Sequence, residues 1–239
     1  NLDENGRLLM PPKPPKATEP PAINSALGVK AVRYRVWHTK EAEAAYISQL
    51  ELQSLLERAM RRAGLPMAFS QGFHPLPLIS FGRALPVGVE SQAEWFSIVL
   101  REPLSAEEVM KRLAPRMLRG LRLDRLEEIP VNDKSVVSVQ ETFSLRFVGS
   151  DADRRLFMEA WDDFTATDSL MFTRETKKGP RTADIRPLFQ VIEWDEHGTL
   201  YIVTDWSETY ISPMTLARAI TPWAEQHQLK IMKLSQMFG

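Results

Sequence analysis

Residues 30–66 read KAVRYRVWHTKEAEAAYISQLELQSLLERAMRRAGLP, and this stretch decides the fold class because its periodicity changes partway along. Val32, Tyr34 and Val36 alternate with Arg33, Arg35 and Trp37, which predicts a half-buried strand with one basic face. Then Ile47, Leu50, Leu55, Leu56, Ala59, Met60 and Ala63 recur at helical spacing, so a helix is expected over 47–63. Gly64 and Pro66 stop it.

Working outward, residues 78–85 and 93–100 read as two strands separated by Pro86 and Gly88. Ser105 is an N-cap residue, with Glu107 and Glu108 where a helix dipole favours acids. Val109, Leu113 and Met117 or Leu118 continue an apolar face toward Gly120, although Pro115 kinks or ends that helix early. Residues 121–129 read as a strand, and strand, helix, strand, strand, helix, strand is the order of the ferredoxin-like split unit.

Residues 142–238 repeat the order: strands at 142–148, 170–174, 184–194, 200–206 and 229–238, with helices at 151–164 and 213–227. The expected class is α+β, two tandem ferredoxin-like (βαββαβ) units over 30–135 and 136–239. Residues 1–29, with Pro11, Pro12, Pro14, Pro15, Pro20 and Pro21, read as a proline-rich linker, or else as a proline-rich ligand for a partner.

Composition narrows the chemistry. Lys+Arg 30 against Asp+Glu 31 gives a net charge of -1, so any polyanion site is a local patch. With no cysteine, the chain has no disulfide, no thiolate zinc site, no cysteine nucleophile and no thiolates for an iron–sulfur cluster. His38, His74, His197 and His227 are scattered, with no metal-ligand spacing. The paired acids at 107–108, 127–128 and 162–163 are adjacent and form no opposed dyad, and no phosphate-binding glycine loop or serine elbow is present. No catalytic or metal residue is assigned. Without an apolar run of about 18 residues or a signal-peptide pattern, a cytoplasmic protein outside the membrane is expected. The first residue is Asn1 rather than Met, which reads as a trimmed chain or a piece of a longer one.

Residues 55–91, LLERAMRRAGLPMAFSQGFHPLPLISFGRALPVGVES, carry a family resemblance through Arg58, Ala59, Arg62, Ala63, Pro66, Ser70, Gly72, Phe73, Pro75, Pro77, Ile79, Ser80, Phe81, Leu85, Pro86, Gly88 and Ser91. With Lys178-Gly179 and Asp184-Ile185-Arg186-Pro187-Leu188, the chain resembles the DUF2344 family, the radical SAM-linked proteins. That resemblance implies an accessory domain of a radical SAM enzyme, in cis or in trans, with the iron–sulfur cluster and SAM held by the partner and no cofactor here. Members commonly read Ser-His-Leu-Asp-Leu where this chain has Ser48-Gln49-Leu50-Glu51-Leu52, and an amide at Gln49 does no acid–base work near neutral pH. Leu76 and Leu78 stand where members often have basic residues, which weakens phosphate contact by that loop.

Candidate binding residues fall in three groups. Arg58, Arg61 and Arg62 span about one helical turn, and Arg33, Arg35, Lys40 and Arg83 join them if strand and helix pack together. They form a polyanion site or a solvated face. Phe73 and His74 sit among Gly72, Pro75 and Pro77, as a base-stacking loop or a structural corner. Arg174, Lys177, Lys178, Arg181 and Arg186 make a basic hairpin that holds phosphates or protects a sheet edge, with an Asp184–Arg186 ion pair as an ordinary alternative. The expected function is an accessory binding domain that presents an RNA or protein substrate. The rivals are a protein-docking module without nucleic-acid binding and a metal-independent RNA-processing enzyme.

Overall fold

In the computed structural model, which describes residues 25–133, 136–176 and 179–239, the strand at the centre of residues 30–66 is β1, Val32–Lys40. Val32, Tyr34 and Val36 bury against Leu52, Leu56, Ala59 and Met60 of α1, Gln49–Arg62. Each such large apolar side chain contributes roughly 1.5–3 kcal/mol by leaving water. Both ends of α1 are written locally. Ser48 and Glu51 form a reciprocal capping box, and Gly64, at φ +63°, lets Leu65 N–H reach back to the Met60 carbonyl at 3.1 Å.

The chain continues through β2, Ile79–Phe81, β3, Glu90–Leu100, α2, Ala106–Leu113, and β4, Leu123–Ile129. Next come β5, Ser138–Phe147, and α3, Asp151–Thr165, followed by a separate hairpin of β6, Met171–Thr176, and β7, Gly179–Asp184. Last are β8, Phe189–Trp194, β9, Leu200–Asp205, α4, Pro213–Ile220, and β10, Leu229–Phe238. The main sheet runs β4-β1-β3-β10-β5-β9-β8, with β2 paired to β3. Its pairings are antiparallel except where β10 meets β3 in parallel at Met232↔Glu90 and Lys233↔Ser91. Beyond that junction, the same β3 strand pairs with β2 at Ile98, Ser97 and Phe96. This mixed α+β arrangement, one large and mostly antiparallel sheet with four α-helices among the described residues, is compatible with ferredoxin-like units.

The sheet packs two apolar clusters under its helices. One gathers β1 and β3 under α1 and α2, and the other gathers Phe143, Leu145, Ile202 and Ile231 under Phe157 and Trp161 of α3 and Leu216 of α4. Charge sits between them. Lys233, 2% exposed, pairs with Glu94 of β3 and lies 3.3 Å from Glu141 of β5. Glu141 also accepts from Ser138 Oγ at 2.7 Å and Trp206 Nε1 at 2.8 Å. Burial alone opposes the charge on Lys233, but the two carboxylates outweigh it and hold its pKa above the ordinary value.

Four expectations change. The strand at 78–85 contracts to Ile79–Phe81, the three residues that pair with Ile98, Ser97 and Phe96 of β3. The strand at 184–194 is broken by a turn at Arg186–Leu188, where Pro187 has no N–H to give a ladder. The helix at 213–227 ends at Ile220, ahead of Pro222. The half-buried β1 is buried on both faces, since the face that carries Arg33 and Arg35 is covered too.

Candidate functional site

The arginines of β1 turn inward. Arg33 donates to Ser97 Oγ at 2.9 Å, Ser80 Oγ at 3.0 Å and the Asp133 carbonyl at 2.6 Å. Arg35 reaches the Asp133 carboxylate at 3.5 Å and lies over the rings of Trp95 and Phe238 at 5.1 and 5.0 Å. Arg83 donates to the Ser138 carbonyl at 3.0 Å and covers the Tyr210 ring at 4.2 Å. These three residues clasp the connection between β4 and β5 at both ends, and they do not join the α1 arginines. Arg186 is also occupied: its guanidinium donates to the carbonyls of Thr165, Thr167 and Phe189, closing the C-terminus of α3. Asp184 spends its Oδ1 on the N–H groups of Leu170 and Arg186 at 2.8 and 3.0 Å, and these bonds hold its pKa below the usual carboxylate value.

Arg58, Arg61 and Arg62 are exposed on α1 and make no side-chain hydrogen bond or ion pair among the described residues. Beside them runs a groove of two adjoining hollows, of about 300 and 550 Å³, that share Leu55 and Leu118. Its floor is Leu55, Leu56, Ala59, Met117 and Leu121, and Arg58, Arg62 and Arg116 rim it. Leu50, expected in the buried stripe of α1, is 77% exposed at one end of the groove. Leu118, read as part of the second helix, is 46% exposed on the far wall. That wall bends because Pro115 sits in a 3-10 turn at Ala114–Arg116 and Gly120 adopts φ +84°. A Cβ on Gly120 would come within 2.3 Å of the Glu41 carbonyl, so only glycine fits. The Leu118-Arg119-Gly120 run, the sequence signal for this wall, was absorbed into a helix pattern that stops at Leu113.

Phe73, 53% exposed, and His74 project from a loop closed by Ser70 N–H to the Leu76 carbonyl at 2.8 Å. Phe73 therefore does not plug the core. Arg181 is exposed on β7, while Lys177 and Lys178 lie outside the described residues, as do residues 1–24 of the linker. Among the described residues no group of three His, Cys, Asp or Glu side chains is arranged to hold a metal ion. A chain without cysteine does not fit an iron–sulfur cluster of the thiolate-ligated kind. Among the described residues, no helix is long and apolar enough to cross a membrane.

Fold and groove together define a mixed α+β protein with an arginine-rimmed apolar surface on its first helix. The chain belongs to the DUF2344 family, described as "Uncharacterized protein conserved in bacteria (DUF2344)", whose profile matches residues 33–222. No curated protein matches it. Among solved structures it is similar to the acetolactate synthase small subunit of Thermotoga maritima, at 10% identity over 87% of this chain and 96% of that one, with a TM-score of 0.26. So loose a superposition carries neither fold nor function across.

Proposed function

We propose that this chain is an accessory binding domain of a radical SAM enzyme, built as two tandem ferredoxin-like units, which acts in the cytoplasm and docks protein through the α1 groove. The observation that carries this reading is the row of arginines Arg58, Arg62 and Arg116, exposed and without a side-chain partner among the described residues, beside exposed Leu50 and Leu118. Exposed leucines in a concave strip suit an apolar protein side chain, and the residues that line the strip include no aromatic ring on which a nucleobase could stack. The unpaired guanidiniums add charge complementarity toward an acidic partner surface. An RNA-presenting role draws on a thinner set of residues, because Arg33, Arg35, Arg83 and Arg186 are committed to internal contacts. The strand orders β4-β1-β3-β2 and β10-β5-β9-β8 support the tandem reading.

The test titrates the chain with the proposed radical SAM partner, comparing wild type with Arg58→Glu/Arg62→Glu. Docking through the groove predicts that the double variant loses at least about tenfold in affinity, with the wild-type affinity falling as salt rises. Unchanged affinity would remove the groove from the function. Salt-sensitive binding of total cellular RNA that survives in the double variant would restore the RNA reading instead.

A further inference from the structure

Arg174 on β6 stands directly opposite Arg181 on β7 in the hairpin register. Residues paired in this way share a face with their Cβ atoms about 5 Å apart, and like charges so placed repel. Arg174 donates to the Tyr210 carbonyl at 3.1 Å, whereas the Arg181 side chain makes no hydrogen bond or ion pair among the described residues. Both line a cavity of about 500 Å³ together with Glu208, Thr209 and Ile211 from the segment before α4. Phe172, on the same hairpin face, gives it an apolar side. Asp184 also lines the cavity, but its Oδ1 is held by two backbone N–H groups.

We propose that this cavity binds the phosphoryl group of a small phosphate monoester between Arg174 and Arg181. An anion between the two guanidiniums turns their repulsion into a shared set of charge-assisted hydrogen bonds, for which the forked guanidinium geometry is suited. A hollow of this size takes a metabolite-sized ligand. Glu208, also in the lining, can accept a hydrogen bond from a hydroxyl or amine on the organic part.

The experiment is calorimetric titration of the full chain at low salt with inorganic phosphate and with glycerol 3-phosphate. Wild type, Arg181→Gln, Arg174→Lys and Arg155→Gln, a change at an exposed α3 position outside both the cavity and the groove, are compared, and their melting curves are recorded alongside. Saturable binding at one site is expected, tighter for glycerol 3-phosphate. Affinity should weaken about tenfold in Arg181→Gln, fall less in Arg174→Lys, and stay unchanged in Arg155→Gln. Arg181 is exposed and supports no described contact, so the fold of Arg181→Gln should be intact. Three results would each overturn the proposal: no saturation by either probe, equal affinity in Arg181→Gln, or inorganic phosphate binding as tightly as glycerol 3-phosphate. Displacement of glycerol 3-phosphate by a uridine oligonucleotide at lower concentration would do the same and assign the site to a phosphodiester backbone.

Discussion

The arginines of β1 and those of α1 lie within one stretch of sequence and meet opposite fates. Arg33 and Arg35 are drawn under Asp133 and against Trp95, Ser97 and Phe238, while Arg58, Arg61 and Arg62 stay in water beside a strip of leucines. The difference teaches that alternation or helical spacing tells which residues share a face. What later covers that face decides whether its charge is structural or available. Charge buried in the sheet should govern stability, and charge on α1 should govern binding.

The largest expected effect lies at the buried charge between the two apolar clusters. Lys233→Met leaves Glu94 and Glu141 without their shared cation, and urea unfolding should show a loss of about 3–5 kcal/mol. Arg33→Met comes next: it removes the bonds to Ser80, Ser97 and Asp133, and should cost about 2 kcal/mol by the same assay. On the other side of the comparison, Arg61→Ala should shift stability by no more than about 0.5 kcal/mol, as expected of an exposed side chain without a partner. If Arg61→Ala proves as costly as Arg33→Met, the division between structural and available arginines fails.

The smallest expected effect concerns pH. His38 is buried, with Nδ1 donating to the Thr39 carbonyl at 2.8 Å and Nε2 without a partner among the described residues. Burial is the largest influence and holds its pKa below 6.5; the nearby Lys233 and Lys40 push the same way, while the Thr39 carbonyl and Glu94 oppose. The unfolded chain therefore takes up a proton near pH 6.5 that the native state refuses, so stability should fall as pH drops below that value toward the folded pKa. Lys233, whose pKa is raised, keeps its full contribution across this window. His38→Gln should flatten this part of the stability profile, and an unchanged slope would place the pH dependence elsewhere.

Much of the fold was legible because its signals are local. The Ser105 cap, the Gly64 stop and the alternation in β1 each need only neighbouring residues. The breaks at Arg186–Leu188 and after Ile220 were misread even though Pro187 and Pro222 announce them, since apolar spacing ran on through both prolines. The covered face of β1 was not legible. It depends on Phe238 and Asp133, which reach Arg35 only once β10 has joined the sheet and the chain has turned after β4. The groove was legible in part: the α1 arginines stood out, but the wall formed by Met117 and Leu118 depends on the turn that Pro115 and Gly120 impose.

The central claim is that the α1 groove is the surface this domain offers to its partner. Hydrogen exchange of the full chain, measured with and without the proposed radical SAM partner at saturation, tests it most directly. The account predicts slowed exchange concentrated in residues 50–62 and 115–121, with the backbone of β1 unchanged. Protection confined to other surfaces, with residues 50–62 exchanging as in the free chain, would contradict it.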